Sequence, residues 1–343
     1  MAETLKVGIA FNLKKGLPVG PPDAEAEFDD PDTVRAIQSA LETAGCRVEL
    51  FEADDSFPGR IAEAKPDIVF NIAEGRSGRG RESHVPAILR FLDIPFVGSD
   101  ETSMCIAMDK ALTKRLLASW GIRTPKYAVI GKDTRYTADD GTGIAGYTGS
   151  WPIIVKPNAE GSGKGISGVS VVSSAAGLRE AVENIVNTYE QDALIEEYIQ
   201  GREFTVGLLG NGKGQRIFPP MEIIFNAGDR GIYSYEVKRD FKRYVSYACP
   251  PDVGADILAE LESTARDIFR IIGCRDFARI DFRLSREGEL HFIEINPLPG
   301  LAPGYSDYPM LAGFCGVDYD ALIAGVLQSA LARYGMAHRL DLR

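Results

Sequence analysis

The sequence lacks the side-chain patterns that mark several common classes of protein. Its five cysteines are scattered and form no CxxC pair, so neither a zinc site nor a disulfide framework is indicated. The three histidines show no metal-ligand spacing, and no Ser-His or Cys-His signature of a covalent nucleophile is present. No apolar stretch approaches the length of a membrane span, and no signal peptide precedes the first strand-like run. These absences predict a cytoplasmic protein in a reducing environment.

Positive charge is scarce as well. The chain has 38 lysines and arginines against 49 acidic residues, and its formal net charge is −11. Non-specific attachment to nucleic acid or to an anionic membrane is therefore not expected. If the substrate is anionic, basic residues must be concentrated at the site that binds it. With 343 residues the chain is too long for one ordinary core, so two or three domains are expected.

Strand-like and helical patterns alternate over the first hundred residues. The helix predicted over residues 32–44, for example, places its apolar residues on one face. This βαβ rhythm predicts an α/β domain with a parallel sheet over residues 1–105. A central domain over 106–190 and a strand-rich domain over 191–343 would follow. The pattern further predicts a strand over 95–98, one helix over 108–120 and a strand over 216–224.

Two alternating polar and apolar runs between residues 279 and 296, separated by a polar turn with a glycine, predict a β-hairpin. If Leu284 pairs with His291, Asp281 faces Glu294 directly. Opposed side chains in an antiparallel pair have Cβ atoms roughly 5 Å apart. Two like charges at that distance repel by about 3 kcal/mol at an effective dielectric constant of about 20. The hairpin would not favour this arrangement without compensation.

A divalent cation between the two carboxylates is the simplest compensation. Asn296 would share their face, and hard oxygen ligands of this kind suit Mg²⁺ or Mn²⁺. Arg279 would lie on the same face. The alternative is a solvated hairpin face on which Arg279 and Arg283 neutralise the acids.

A glycine-rich segment over residues 156–168 predicts a flap folded over a polyphosphate. It contains GxGxxG, but a strand rather than a helix follows, so the pattern lacks the context of a dinucleotide-binding turn. An NAD-dependent dehydrogenase is rejected for that reason. The segment is not a Walker A loop either, because Gly165 follows Lys164 where that motif has Ser or Thr. Glycines let backbone N–H groups wrap oxygen atoms closely, and lysines add positive charge. A flexible surface hairpin is the alternative.

A third pattern lies at a bend after the strand predicted over residues 193–198. Glu196 and Glu197 end that strand, and Glu203 begins the next one after a turn. Carboxylates and backbone groups at such a bend can bind an adenine amine and ribose hydroxyls. Alone, this pattern is not specific.

Taken together and in this order, three patterns resemble the ATP-grasp fold. They are the lysine strand with its flap, the Glu-Glu bend before Glu-Phe-Thr-Val, and the Arg-Ile-Asp and Glu-Ile-Asn runs. The closer resemblance is to the D-alanine–D-alanine ligase family, and it covers most of the chain. It implies an N-terminal Rossmann-like domain followed by a two-lobed ATP-grasp fold. It also implies a carboxylate–amine ligase that uses ATP and two Mg²⁺ ions, with Mn²⁺ as a substitute, on small-molecule substrates. A homodimer is expected by the same resemblance.

The resemblance also implies roles for individual residues. The ATP-binding residues would be Lys110, Lys156, Lys164, Glu196, Glu197 and Glu203. The catalytic residues would be Arg279, Lys238 and Ser162. The two Mg²⁺ ions would be bound by Asp281, Glu294 and Asn296. The substrates would be bound by Asn71, Glu74, Arg76, Arg79, Arg81, Gly300, Tyr305 and Ser306.

The substrate-side stretches depart from the family's pattern. The family's His-Gly-x-x-Gly-Glu-Asp-Gly is replaced by residues 71–82, which contain three arginines. The first strand lacks the acid-containing turn that engages the donor's ammonium group in the family. The acceptor end, residues 296–306, differs too. We therefore expect a ligase that does not make D-alanyl-D-alanine.

The three arginines would accept a more anionic donor or a peptide carboxylate, or they lie in a solvated loop. Two further alternatives stay open on the sequence alone. One is an authentic D-alanine–D-alanine ligase of cell-wall synthesis. The other is a catalytically silent ATP-binding sensor or scaffold, which would have no need to retain both metal acids.

Overall fold

The computed structural model describes residues 4–16, 21, 23–131, 147, 149–167, 170–226, 237 and 239–340. The predicted catalytic residue Lys238 lies outside these residues.

The N-terminal part is a parallel sheet covered by helices, as predicted. Its strand order is β2-β1-β3. The strands are β1 (Lys6–Phe11), β2 (Arg47–Glu52) and β3 (Ile68–Asn71). The helices are α1 (Pro31–Thr43), α2 (Phe57–Ala64) and α3 (His84–Phe91). The prediction of a strand over 95–98 is wrong, because only a single β-bridge, between Val69 and Phe96, forms there.

The central part begins with two helices, α4 (Glu101–Met108) and α5 (Lys110–Ser119). The expectation of one helix over 108–120 is wrong. Asp109 is extended, with φ −82° and ψ 95°, and its side chain accepts a hydrogen bond from the Leu112 N–H. A capping aspartate satisfies a free donor at a helix start, so it favours a new helix over a continuous one.

The central sheet is antiparallel, with the strand order β4-β7-β5-β6. Its strands are β4 (Tyr127–Ile130), β5 (Ile153–Pro157), β6 (Val171–Val172) and β7 (Ala193–Glu197), and α6 (Ala175–Tyr189) packs on it. Strand β7 pairs with β4 and β5, although the prediction assigned residues from 191 onward to the last domain.

The C-terminal part holds a six-stranded antiparallel sheet of order β11-β10-β8-β12-β13, with β9 paired to β8. The strands are β8 (Gly201–Leu209), β9 (Arg216–Ile217), β10 (Met221–Phe225), β11 (Val245–Ala248), β12 (Phe277–Ser285) and β13 (Leu290–Asn296). The helices are α7 (Phe241–Tyr244), α8 (Ala255–Ile272), α9 (Asp307–Phe314) and α10 (Tyr319–Arg333). The single strand predicted over 216–224 is wrong. It is interrupted at Pro219 and Pro220, which cannot donate to a strand ladder.

The first and last parts of the chain share one core. Helix α1 packs on α10, and the fully buried Phe277 and Tyr308 belong to the same apolar cluster as Phe70 of the first sheet. The buried Asp276 binds Arg333 at 2.6 Å. This packing fixes the N-terminal sheet against the C-terminal one.

Among the helices of the described residues, none is by itself long and apolar enough to cross a membrane. Helices α9 and α10, bent by 108° at the break between them, would meet that length and composition only as a pair.

Candidate active site

The hairpin of β12 and β13 opposes Asp281 to Glu294, as predicted. The pairing expected between Leu284 and His291 is wrong, because Leu284 pairs with the residue before that histidine. A β-bulge absorbs the one-residue difference and leaves Ile293 without a partner in the ladder. The predicted register therefore holds on the Asp281 side of the bulge and is off by one residue on the Leu284 side.

Each of the two acids has a cationic neighbour within the protein. Arg279 donates two hydrogen bonds to Asp281, of 3.0 and 2.9 Å. The Lys110 Nζ lies 3.4 Å from a carboxylate oxygen of Glu294. The Thr205 hydroxyl also donates a hydrogen bond of 2.7 Å to Asp281 Oδ1. The repulsion expected from the sequence is thus largely offset by these neighbours before any ion is considered.

The donor set nevertheless fits a hard divalent cation. Two carboxylates and the Asn296 amide lie on one face of the hairpin at paired positions. The Asn296 Oδ1 accepts one hydrogen bond, from the Leu298 N–H, which leaves a lone pair for a ligand. Oxygen donors of this kind are those that Mg²⁺ prefers. Asp281, Glu294 and Asn296 could therefore hold the ion.

Arg279 is buried beside these acids and carries a permanent positive charge. Burial would lower the pKa of its guanidinium, but Asp281, Asp307 and Glu294 raise that pKa above its ordinary value. A buried charge with a fixed donor fork is suited to negative charge that develops on a phosphoryl or a tetrahedral centre.

The lysine of the flap strand and the first acid of the bend lie together. Lys156 on β5 and Glu196 on β7 are buried, and the Lys156 Nζ is 2.5 Å from Glu196 Oε2. The Nζ of Lys114, from α5, is 2.8 Å from the other carboxylate oxygen. Burial would raise the pKa of Glu196, but the two lysines lower it below its ordinary value. Glu196 is therefore ionised and held between two cations.

An open cleft of about 700 Å³ lies between the central and C-terminal sheets. Its apolar walls include Pro125, Ile154, Ile199 and Ile293. Its polar lining includes Lys156, Glu196, Glu197, Glu203, Asp281 and Glu294. An apolar-walled cleft lined by Lys156 and by carboxylates that include both metal-type acids can bind a nucleotide.

A smaller cavity adjoins the metal acids on the flap side. It is lined by residues predicted for three different roles, namely Lys110, Ser162, Glu294 and Asn296, and by Glu82. The Lys164 Nζ lies nearby, 2.8 Å from Glu160. The structure thus brings the flap, the predicted catalytic serine Ser162 and two of the predicted metal ligands, Glu294 and Asn296, around one space.

The flap is bound to a segment of the N-terminal part. The Gly161 N–H donates to Glu27 at 2.6 Å, and the Gly165 N–H donates to Asp23 at 2.8 Å. Arg81 joins the same contact, with its Nη2 2.6 Å from Glu27 and 2.9 Å from Glu160. The guanidinium of Arg81 is therefore occupied by acids of the protein, while its predicted substrate role stays a prediction.

The other substrate-side residues of the N-terminal part differ in their burial. Asn71 is fully buried, and its Nδ2 has no hydrogen-bond partner among the described residues. Carboxylate oxygens of Glu74 lie within 4.8 Å of those of Glu27 and Glu82. Burial, followed by Glu82 and Glu27, holds the pKa of Glu74 well above its ordinary value.

The two remaining arginines of this stretch lie at the surface. Arg76 forms an ion pair with Asp55, and both side chains are exposed. Arg79 has a side chain that is 81% exposed, with its Nη1 3.6 Å from Asp109. In this structure they match the solvated-loop alternative more closely than a preformed anion site.

The predicted acceptor end forms a compact turn. The Ser306 hydroxyl accepts a hydrogen bond from the Ala302 N–H at 3.1 Å. A Cβ at Gly300 would lie 2.8 Å from that hydroxyl oxygen, so the turn needs a glycine there. Tyr305 is about half exposed and lines a separate cavity together with Glu25.

Sequence reasoning missed several residues that the structure places at the site. Asp23, Glu27, Glu82 and Lys114 are not among the residues predicted for the site. The acid-rich run over residues 23–30, together with the spacing of Lys110 and Lys114 by one helical turn, could have signalled them.

Known proteins share this architecture. Residues 116–328 match the family model described as D-ala D-ala ligase C-terminus. The chain is 34% identical over 312 residues to the uncharacterised protein y4sG of Sinorhizobium fredii, with 87% of each covered. It is 33% identical over 295 residues to the D-alanine–D-alanine ligase of Aquifex aeolicus, with 86% of this chain and 93% of that protein covered.

Similarity in structure extends over nearly the whole chain. The D-alanine–D-alanine ligase from Bacillus anthracis, solved in complex with ATP, superimposes with a TM-score of 0.74 at 20% identity. The match covers 97% of this chain and 99% of that one. From the sequence relatives and the family model together, the chain belongs to the D-alanine–D-alanine ligase family of ATP-grasp ligases.

Proposed function

We propose that the protein uses ATP to join a carboxylate to an amine through an acylphosphate. The observation that carries this proposal is the shared face of β12 and β13. There Asp281 opposes Glu294, and Arg279 lies beside them. The nucleotide-type cleft and the flap meet at the same face.

ATP would lie with its adenine between the apolar walls of the cleft and its ribose near Glu197 and Glu203. Lys110, Lys156 and Lys164 would bind its phosphates. Mg²⁺ bound by Asp281, Glu294 and Asn296 would supply charge neutralisation and orientation for the phosphates.

In the first step, an oxygen of the substrate carboxylate attacks the γ-phosphorus, and ADP leaves. In the second, the amine nitrogen attacks the acylphosphate carbonyl, inorganic phosphate leaves and the nitrogen loses a proton. The protein needs no nucleophile of its own for either step. Its contribution is positioning, together with the fixed charge of Arg279 near the oxygens that become more negative.

We further propose that the substrates are amino-acid-like or peptide molecules other than two D-alanines. The support is the changed composition of residues 71–82 and 296–306, beside an ATP side whose predicted residues come together. The relatives named D-alanine–D-alanine ligases make synthesis of D-alanyl-D-alanine the competing outcome. Dimerisation and a cytoplasmic location stay predictions.

Isotope transfer tests the proposed chemistry. A donor labelled with ¹⁸O in its carboxylate would transfer one labelled oxygen to inorganic phosphate in each turnover, because that oxygen bridges carbon and phosphorus in the acylphosphate. Mass spectrometry of phosphate and product reads both ends of the reaction. Product formed with unlabelled phosphate would contradict the acylphosphate route.

A further inference from the structure

We infer that Lys114 is a positioning residue that holds the metal-binding hairpin in register and ties it to the nucleotide strand. The inference rests on the proposed function, since it assumes that Asp281 and Glu294 bind the metal. The contacts of Lys114 that carry the inference are with the backbone of the metal-binding hairpin and with Glu196 of the nucleotide strand.

The position of Lys114 follows from helix α5. Lys110 and Lys114 are four residues apart, so they lie on the same face of the helix. Lys110 reaches the Glu294 carboxylate, at 3.4 Å. Lys114 reaches the backbone carbonyl of the preceding residue, Ile293, at 2.8 Å. One face of one helix thus contacts two consecutive residues of β13.

The start of α5 is fixed, so this face cannot rotate freely. Asp109 caps the helix and accepts a hydrogen bond from Asn158 Nδ2 at 2.9 Å. The backbone N–H groups of Lys110 and Ala111 donate to the backbone and side-chain oxygens of Asn158, at 3.1 and 3.0 Å. The helix is therefore anchored to the end of the strand that carries Lys156.

The carbonyl that Lys114 binds belongs to the bulge. Ile293 is the residue left unpaired where the register of β12 and β13 shifts. Without the bulge, the pairing of Leu284 with Leu290 would continue until Ile293 faced Asp281. Glu294 would then point to the opposite face, because a one-residue slip reverses every side chain. Ile293 is partly buried at this bulge, and the Lys114 ammonium donates a hydrogen bond to its carbonyl.

The same ammonium group also contacts the nucleotide strand. It lies 2.8 Å from Glu196, whose other oxygen contacts Lys156. The side chain of Lys114 is 0% exposed, and its Nζ lies 5.2 Å from the ring centroid of Phe292. Lys114 therefore connects the predicted phosphate lysine with the predicted metal acid.

The decisive variant is Lys114→Met, which keeps most of the length of the unbranched side chain and removes the charge and the donor. Mn²⁺ binding is measured by titration calorimetry in the presence of a non-hydrolysable ATP analogue. We expect Mn²⁺ affinity to fall about tenfold, the size seen when partners behind metal ligands are removed. In turnover assays the half-saturating Mg²⁺ concentration would rise by a similar factor, while kcat at saturating metal changes by less than about threefold.

Arg115→Met is the matched control, because Arg115 is the next residue of the same helix and is exposed. It should leave Mn²⁺ affinity and Mg²⁺ requirement unchanged. A folded Lys114→Met protein with wild-type Mn²⁺ affinity would overturn the inference. So would a loss confined to kcat with no change in metal requirement.

A second pair of variants covers the case in which Lys114→Met does not fold. Glu196→Gln is compared with Lys114→Met/Glu196→Gln, so that neither protein contains a buried Glu196 carboxylate that has lost one of its two lysine partners. The pair differs only at Lys114, and the double variant should show the weaker Mn²⁺ binding. Equal binding by the two would overturn the inference. Absence of Mn²⁺ binding by the wild-type protein would instead contradict the proposed metal site.

Discussion

The ATP side and the substrate side of the cleft are built differently. On the ATP side, Asp281, Glu294, Lys156 and Glu196 all lie on paired strands, and each contacts an oppositely charged group of the protein. On the substrate side, most of residues 71–82 and 296–306 lie outside the strands. A paired strand fixes its side chains through the ladder, whereas a segment outside a strand lacks that constraint. Substrate preference can therefore change in such a site without disturbing the ATP machinery.

The largest expected effect comes from removing both metal acids. Asp281→Asn/Glu294→Gln should lower ATP turnover by at least about a thousandfold, because the phosphates lose their bridging cation. Circular dichroism and thermal unfolding should show a retained fold. Glu287→Gln, in the exposed turn of the same hairpin, is the control and should keep wild-type turnover. Mg²⁺-dependent turnover by the double variant would refute the metal assignment.

Arg279→Lys should have the next largest effect. It keeps the charge but loses the fork that binds Asp281 through two nitrogens. We expect kcat to fall about a hundredfold, the usual loss when one transition-state donor is removed, with little change in the KM for ATP. Steady-state kinetics with varied ATP measures both. A change in KM alone would mean that Arg279 acts on ground-state binding.

Arg81→Met tests the connection between the two sides. It removes one of the two cations, Arg81 and Lys164, that lie beside the buried Glu27 and Glu160, and breaking such a buried pair costs about 3 kcal/mol of unfolding free energy. Denaturant unfolding measures the loss. The exposed Arg76→Met is the control, with an expected change within about 0.5 kcal/mol. Equal effects of the two substitutions would show that Arg81 is not a structural link.

The smallest predicted effect depends on pH. Burial, followed by Glu27, raises the pKa of Glu82 to about 7. The pKa of this carboxyl group is higher in the folded protein than in the unfolded one, so the folded protein holds the proton more tightly. The free energy of unfolding therefore falls as pH rises from about 4.5 to 7. Glu82→Gln should therefore raise the unfolding free energy at pH 8 by about 2 kcal/mol and by much less at pH 5.

Thermal unfolding of wild type and Glu82→Gln at the two pH values provides the test. A gain in melting temperature of the same size at pH 5 and pH 8 would show that Glu82 is not the titrating group. Glu287→Gln again serves as an exposed control.

The predictable part of this fold follows the regular patterns of the sequence. The parallel first sheet and the facing of Asp281 and Glu294 came from two-residue and 3.6-residue periodicity. The bulge at Ile293 could not be predicted, because its donor is Lys114, some 180 residues earlier in the chain. The contact of Asp23 and Glu27 with the flap depends likewise on how separate elements pack. The acid-rich composition of residues 23–30 could have marked the segment, but the sequence gives no local signal for the contacts themselves.

Phosphate release from Mg²⁺-ATP across a panel of D- and L-amino acids, dipeptides and small carboxylates tests the central claim most directly. Phosphate release should require a carboxylate together with an amine. At least one such pair should be used about tenfold more efficiently than two D-alanines, a preference of about 1.4 kcal/mol. Efficient synthesis of D-alanyl-D-alanine would contradict the proposed change of substrate. The absence of turnover with every pair would contradict the ligase itself and favour a silent ATP-binding protein.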